Sequence, residues 1–222
     1  MQERQMSESL PVGFLLALAG GILDSYSYLN RGQVFATAET GNLVLLGIQM
    51  AHRHWSGALH YLLPILAFVA GVLTAELIRR FLGSSAGRIH WRQPVLLAEC
   101  VVLAIVSLLP LGGWDPLANV LISFTSAIQI ESFRRFHDCP CATTMCTGNL
   151  RSGTEQLFRF LTGASGPISL QKSLVYYGLI LSFVAGAIIS ALFTPILHQW
   201  TVLCACLPLL SAFFLMVDDT AH

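Results

Sequence analysis

The sequence predicts an all-α polytopic membrane protein of about six transmembrane helices, arranged as an inverted 3+3 repeat, each repeat with an additional broken or half-helix. Three observations predict it. The 222 residues are 55% hydrophobic and 11% charged, where a soluble domain carries about 25% charged residues. Thr40-Gly41-Asn42 recurs 107 positions later as Thr147-Gly148-Asn149, each copy within an apolar half of the same layout. Lys and Arg gather in a few connections, as they do in cytoplasmic loops. The bilayer is therefore the expected solvent and the cell (plasma) membrane the expected location. The formal net charge is zero, so nothing argues for nucleic acid as a partner. The chain reads as one integral membrane domain over 1–222, with repeat 1 over about 10–112 and repeat 2 over about 115–218. No soluble appendage is expected at either end.

Each element follows in order. Leu10–Leu29 is apolar with Asp24 embedded. Glu3, Arg4 and Glu8 precede it, so the basic start of a signal peptide is missing and the segment is expected to be retained. Val34–Ala51 surrounds Glu39 and the first Thr-Gly-Asn; its 18 residues could cross with mild bilayer thinning. His60–Leu77 and Pro94–Leu111 are two further helix-length apolar stretches. The second half repeats the order with Leu117–Ile130, Cys139–Leu161 around the second Thr-Gly-Asn, Ser173–Phe193 and Thr201–Val217. Leu66-Ala67-Phe68-Val69-Ala70-Gly71 also matches Leu181-Ser182-Phe183-Val184-Ala185-Gly186 at an offset of 115. Two matched segments in one order point to duplication, although these residue types are common in any membrane helix.

Orientation follows from the basic residues. Arg79, Arg80, Arg88 and Arg92 lie in one connection, and Arg134, Arg135, Arg151, Arg159 and Lys172 surround the second Thr-Gly-Asn. Both regions are expected in the cytoplasm. Gly112–Pro116 and Thr194–Trp200 carry no Lys or Arg and are expected outside. Six spans put both termini inside, with Arg31 and Arg53 outside. Seven spans give an equal split of charge with Arg31 inside. Symmetry separates the two, because a duplicated unit cannot be parallel and inverted at once. Eight spans would drag Arg151 and Glu155 through lipid.

The Thr-Gly-Asn elements are the leading site candidates. Gly costs about 1 kcal/mol against Ala inside a helix, and Thr and Asn favour caps over helix interiors. Each element therefore predicts a break, with Thr40 or Thr147 capping the helix that follows. Free N–H groups at such a start attract anions or polar groups. Non-helical backbone at membrane depth is tolerated only when buried in protein or lining water. A site between Thr40, Gly41, Asn42 and Thr147, Gly148, Asn149 follows, as at the interface of two membrane repeats. The alternative is a tight helix crossing with Gly as the contact. The helix after the second copy is amphipathic, with Leu150, Leu157, Phe158 and Leu161 on one face and Arg151, Glu155 and Arg159 on another.

Acids extend this candidate site. A carboxylate near the midplane costs about 2.5 kcal/mol or more, so Asp24 is a candidate proton or cation site. Its counterpart at an offset of 107 is Glu131. Glu39 adjoins Thr40, and Gln129 would want a buried hydrogen-bond partner. Interfacial placement is the alternative for each acid, most of all for Glu131 beside Arg134 and Arg135.

Gly21 to Gly47, with Asp24, Tyr28, Phe35 and Thr40-Gly41-Asn42, resembles the signature of the YoaK-like family of bacterial membrane proteins. Gln129, Arg134-Arg135 and the run from Thr143-Thr144 to Thr147-Gly148-Asn149 are similar to it too. The resemblance covers roughly Leu10 to Val217. It implies an integral membrane protein of a domain-of-unknown-function family and supplies no substrate. A Cys-rich stretch before the second motif departs from the pattern.

That stretch holds His137, Cys139, Cys141 and Cys146. Thiolates and imidazole suit zinc, but the spacing is not a zinc pattern, and neither a metal nor a cofactor is expected. Cys204 and Cys206 are expected in packing. His52, Arg53, His54, Trp55 and His60 are expected in a hydrated outer loop. Gly163-Ala164-Ser165-Gly166 resembles an intramembrane protease motif, but His198 is expected across the membrane from it. No enzyme is expected. The reading that results is a small-solute or ion transporter or permease with Asp24 as coupling acid. The alternative is a non-transporting scaffold or regulator that docks a partner through its cytoplasmic arginines. At 24.2 kDa the chain is compatible with a homo-dimer.

Overall fold

The computed structural model describes residues 9–82, 92–136, 139–140 and 143–218. The described chain forms helices α1 (Leu10–Asn30), α2 (Glu39–Ala51), α3 (Trp55–Leu82), α4 (Gln93–Leu108), α5 (Asp115–Ser132), α6 (Cys146–Leu161), α7 (Pro167–Leu197) and α8 (Cys206–Asp218). A 3-10 stretch over His198–Ala205 joins α7 to α8. Between α5 and α6 a short ribbon pairs β1 (Arg135–Phe136) antiparallel with β2 (Cys139–Pro140), Phe136 opposite Cys139.

Leu10–Asn30, Trp55–Phe81 and Pro167–Val217 are long and apolar enough to cross a membrane. The other helices are shorter or more polar for identifiable reasons. α4 has 16 residues. α5 buries Asn119, Ser123, Thr125 and Ser126, and small polar residues on protein-facing sides are common where membrane helices meet. Outward faces are apolar instead. Leu59, Leu63, Leu66, Leu73 and Leu77 form an exposed stripe along α3, which suits lipid and would be a liability in water.

Packing follows a pattern in which each half grips the other. α1 lies against α7 and α3 against α5; α2 rests on α3 and α6 on α7; α4 touches both α5 and α8, and α8 also meets α1. Missing side chains set the two main crossings. A Cβ at Gly21 would lie 1.9 Å from the Phe183 carbonyl oxygen, and one at Gly186 would lie 2.1 Å from that of Leu18. At the α3–α5 crossing, a Cβ on Gly71 would lie 2.4 Å from the Phe124 carbonyl oxygen. Gly71 and Gly186 end the two matched hexapeptides, so both take part in close backbone approach.

Several expectations need correction. Thr-Gly-Asn does not break a helix; it lies in the first turn of α2 and of α6. The N-caps are Ala38 and Met145, neither with a side-chain capping bond, so Thr40 and Thr147 are not caps. α2 has 13 residues, about 20 Å of helix against about 30 Å of hydrocarbon. His60 belongs to α3, where Nε2 is 2.8 Å from the Gly32 carbonyl oxygen. On α6 the Arg159–Glu155 pair forms at 2.6 Å, but the buried residues are Asn149 and Gly153, and the Gly153 carbonyl accepts from Ser173 Oγ of α7 at 2.9 Å. Leu150, Phe158 and Leu161 face outward. α7 has 31 residues, so about 46 Å of helix separates Gly166 from His198.

Arg31 is the largest departure. Read as an outer-loop charge, it is fully buried. All five of its N–H donors are used. Nε donates to the Tyr26 hydroxyl at 2.8 Å, and Nη1 donates to Pro110 O and Asp115 Oδ1, both at 3.0 Å. Nη2 donates to Val106 O at 3.1 Å and Leu109 O at 2.8 Å. A cation thus sits on the carbonyl end of α4, where the helix dipole favours it. Asn119 Nδ2 returns a bond to the Arg31 carbonyl at 2.7 Å. The end of α1, the end of α4 and the start of α5 are clamped at one level.

Candidate functional site

After Arg31 the chain reverses and runs back along α1 before α2 begins. Three side chains catch three consecutive backbone N–H groups of this loop. Asn42 Oδ1 accepts from Phe35 at 3.0 Å, Ser27 Oγ from Ala36 at 3.1 Å and Asp24 Oδ1 from Thr37 at 2.7 Å. Asn42 Nδ2 also donates to Phe35 O at 2.6 Å and to Glu39 Oε2 at 2.9 Å. Irregular backbone away from water needs such partners. Asn42 is therefore a strut of the loop. Gly41 lies beneath Phe35, whose ring would be 2.6 Å from a Cβ there. Phe35 in turn stacks on Tyr28, with centroids 4.9 Å apart.

The first turns of α2 and α6 face one cavity of about 820 Å³. Residues 107 positions apart line it in pairs: Thr37 with Thr144, Ala38 with Met145, Glu39 with Cys146, and Thr40 with Thr147. Phe68 and Phe183, equivalent in the matched hexapeptides, line it as well. Asp24 enters from α1. Gly20 leaves room for Thr144, since a Cβ there would lie 2.5 Å from its Cγ2.

The pairing breaks at the acids. Cys146 stands where the first half has Glu39, and Ile130 lines the wall from α5 while Asp24 lines it from α1. Two buried oxygens of lining residues, Glu39 Oε1 and Thr144 Oγ1, have no hydrogen-bond partner among the described residues, while the Asp24 carboxylate also draws on the Thr37 hydroxyl and the Ala38 N–H. Leaving such a group unpaired costs about 1–3 kcal/mol. The cavity therefore offers acceptors that water or a solute can satisfy.

Of the residues expected at the site, Asp24, Glu39, Thr40, Thr147 and Gly148 line the cavity. Gly41, Asn42 and Asn149 stand behind the wall. Gln129 and Glu131 are not part of it. Gln129 is buried in α5. Glu131 belongs to an ion cluster at the far ends of α3 and α5, where it pairs with Arg134 and, at 3.7 Å, with Arg79. Glu76 completes this cluster by pairing with Arg79 and, at 2.6 Å, with Arg134. Cys139 is packed in the core, whereas Cys146 lines the cavity. His137 and Cys141 lie outside the described residues.

Sequence reasoning missed Phe68 and Phe183 as lining residues, although the repeated hexapeptide marked them. It also missed Glu99. This acid is 1% exposed on α4 and lines a second, smaller cavity of about 290 Å³ with Thr125. Ser126 Oγ is 3.5 Å from its Oε1, and Oε2 has no partner. A lone acid within the Pro94–Leu111 stretch was the available signal.

The family described as "Protein of unknown function (DUF1275)" matches residues 12–215. The chain is also similar to the UPF0700 transmembrane protein YoaK of Bacillus subtilis (strain 168), at 27% identity over 195 residues and 85% of each chain. No solved structure matches.

Proposed function

The chain belongs to the DUF1275 family of membrane proteins of unknown function, and we propose that it is a small permease whose solute site is the cavity between the starts of α2 and α6. The observation that carries this reading is the convergence of buried oxygens from both halves, those of Asp24, Thr37 and Glu39 with that of Thr144, on one space of about 820 Å³.

The reading rests on six spans in inverted halves, with α2 and α6 as half-helices that enter from opposite faces. The Arg31 clamp supports it. Seven spans would put Arg31 and the Gly112–Pro116 turn on opposite faces, yet Arg31 bonds to Pro110 O and Asp115. The length of α2 supports it too, and so does the reciprocal packing of α1 on α7 and α3 on α5. Both termini are then cytoplasmic. The protein acts as a carrier and not as a catalyst. Docking through cytoplasmic arginines draws less support, because Arg79 and Arg134 are already paired with Glu76 and Glu131.

Cys146 supplies a test that needs no substrate. With Cys146 as the sole cysteine, a membrane-impermeant thiosulfonate is applied to intact cells and to inverted vesicles. A permease with alternating access exposes it from each face in turn. Reaction from neither face, or from one face only under every condition, refutes the proposal.

A further inference from the structure

We infer that the cavity takes a lipophilic organic cation, such as a quaternary ammonium or phosphonium ion; this rests on the permease reading and names its cargo. Charge comes first. The starts of α2 and α6 each present about +0.5 of an elementary charge. Asp24 and Glu39 contribute −2 when both are ionised. The remainder is about −1, which matches one monovalent cation and opposes an anion, despite two helix starts that would otherwise attract one. Among the described residues, the other titratable groups of the wall are Tyr28 and Cys146.

Size and lining decide between an organic ion and a bare metal ion. A hard cation needs six or more oxygens in a tight shell. Here the oxygens of Asp24, Thr37, Glu39 and Thr144 are spread over about 820 Å³, a volume within the range of about 300–1,000 Å³ that suits drug-sized molecules. Tyr28, Phe35, Phe68 and Phe183 supply aromatic surface, and ring faces attract cations. The mouth is apolar. Leu29, Val184 and Ile188 line the cavity and are 52%, 46% and 54% exposed. In a membrane those residues meet lipid, so the entrance suits a molecule that partitions there.

The test uses two ions of nearly equal shape and opposite charge. Radiolabelled tetraphenylphosphonium and tetraphenylborate are equilibrated with the purified full chain in detergent. Saturable phosphonium binding is expected, weakened about tenfold or more by Glu39→Gln or Asp24→Asn, with no saturable borate binding. Each amide can still accept the bond its parent acid accepts, from Asn42 or Thr37. If Asp24→Asn does not fold, Glu39→Gln alone decides. Equal or tighter borate binding, unchanged phosphonium binding in the variants, or no saturable binding of either ion overturns the cationic cargo. Two-sided labelling of Cys146 in those cases leaves the permease standing; its absence removes both.

Discussion

Arg31→Met should destabilise the fold more than any other substitution at the C-terminal end of α1. The substitution keeps an unbranched apolar stem and removes five hydrogen bonds, one of which is also the ion pair with Asp115. Breaking a buried pair by removing one partner costs about 3–5 kcal/mol. Asp115 is 14% exposed and keeps the Gly112 N–H at 3.0 Å, so the lower figure applies. About 3 kcal/mol is roughly a hundredfold change in the folded-to-unfolded ratio. Arg31→Lys keeps the charge but not the planar fork, and should lose about half as much. Reversible unfolding in mixed micelles of increasing sodium dodecyl sulfate fraction, followed by tryptophan fluorescence, measures both. Asp115→Asn in each background completes a double-mutant cycle, with an expected coupling of more than about 1 kcal/mol. A loss for Arg31→Met within about 1 kcal/mol of zero, or no coupling, would refute the clamp.

Three further predictions test the architecture. Gly71→Ala and Gly186→Ala should each cost about 1–3 kcal/mol by overpacking against a backbone carbonyl, whereas Gly47→Ala, with open space around it, should stay within about 1 kcal/mol of wild type; thermal inactivation in detergent ranks the three. Asn42→Ala should cost about 2–4 kcal/mol, because it strands both the N–H and the carbonyl of Phe35; the micelle assay reads it, and a wild-type midpoint would return Asn42 to the list of purely solute-facing residues. Single cysteines at Arg53 and Arg159, in a cysteine-free background, should react with impermeant reagent from outside and from inside respectively; labelling of both from one face would end the inverted arrangement.

How much of the site was legible follows from what kind of interaction defines each residue. Asp24 and Glu39 stood out because an acid in an apolar stretch is costly wherever it points. Their shared cavity required the loop between α1 and α2 to double back along α1, which a repeated tripeptide does not specify. The roles within the tripeptide were not legible. Thr40 and Thr147 face the cavity, while Asn42 turns the other way and holds Phe35. Adjacent positions on one helical turn point in different directions, so composition cannot assign them. Glu131 matched Asp24 by offset, but Arg79 on α3 and Arg134 just beyond α5 pair with it instead.

Sequence by itself determined the solvent, the approximate extents of the apolar elements and the matched segments. Those depend on local composition, which partition between water and lipid reads directly. Tertiary structure alone decided that Arg31 is buried, since four of its five donated bonds go to acceptors 75 to 84 residues away. It also decided that, among the described residues, the wall carries acids from one half only, and that two phenylalanines from a matched segment line it. Such facts depend on which faces meet at a crossing. Backbones can approach that closely only where Gly21, Gly71 and Gly186 present no side chain, and the partners they meet come from the other half of the chain.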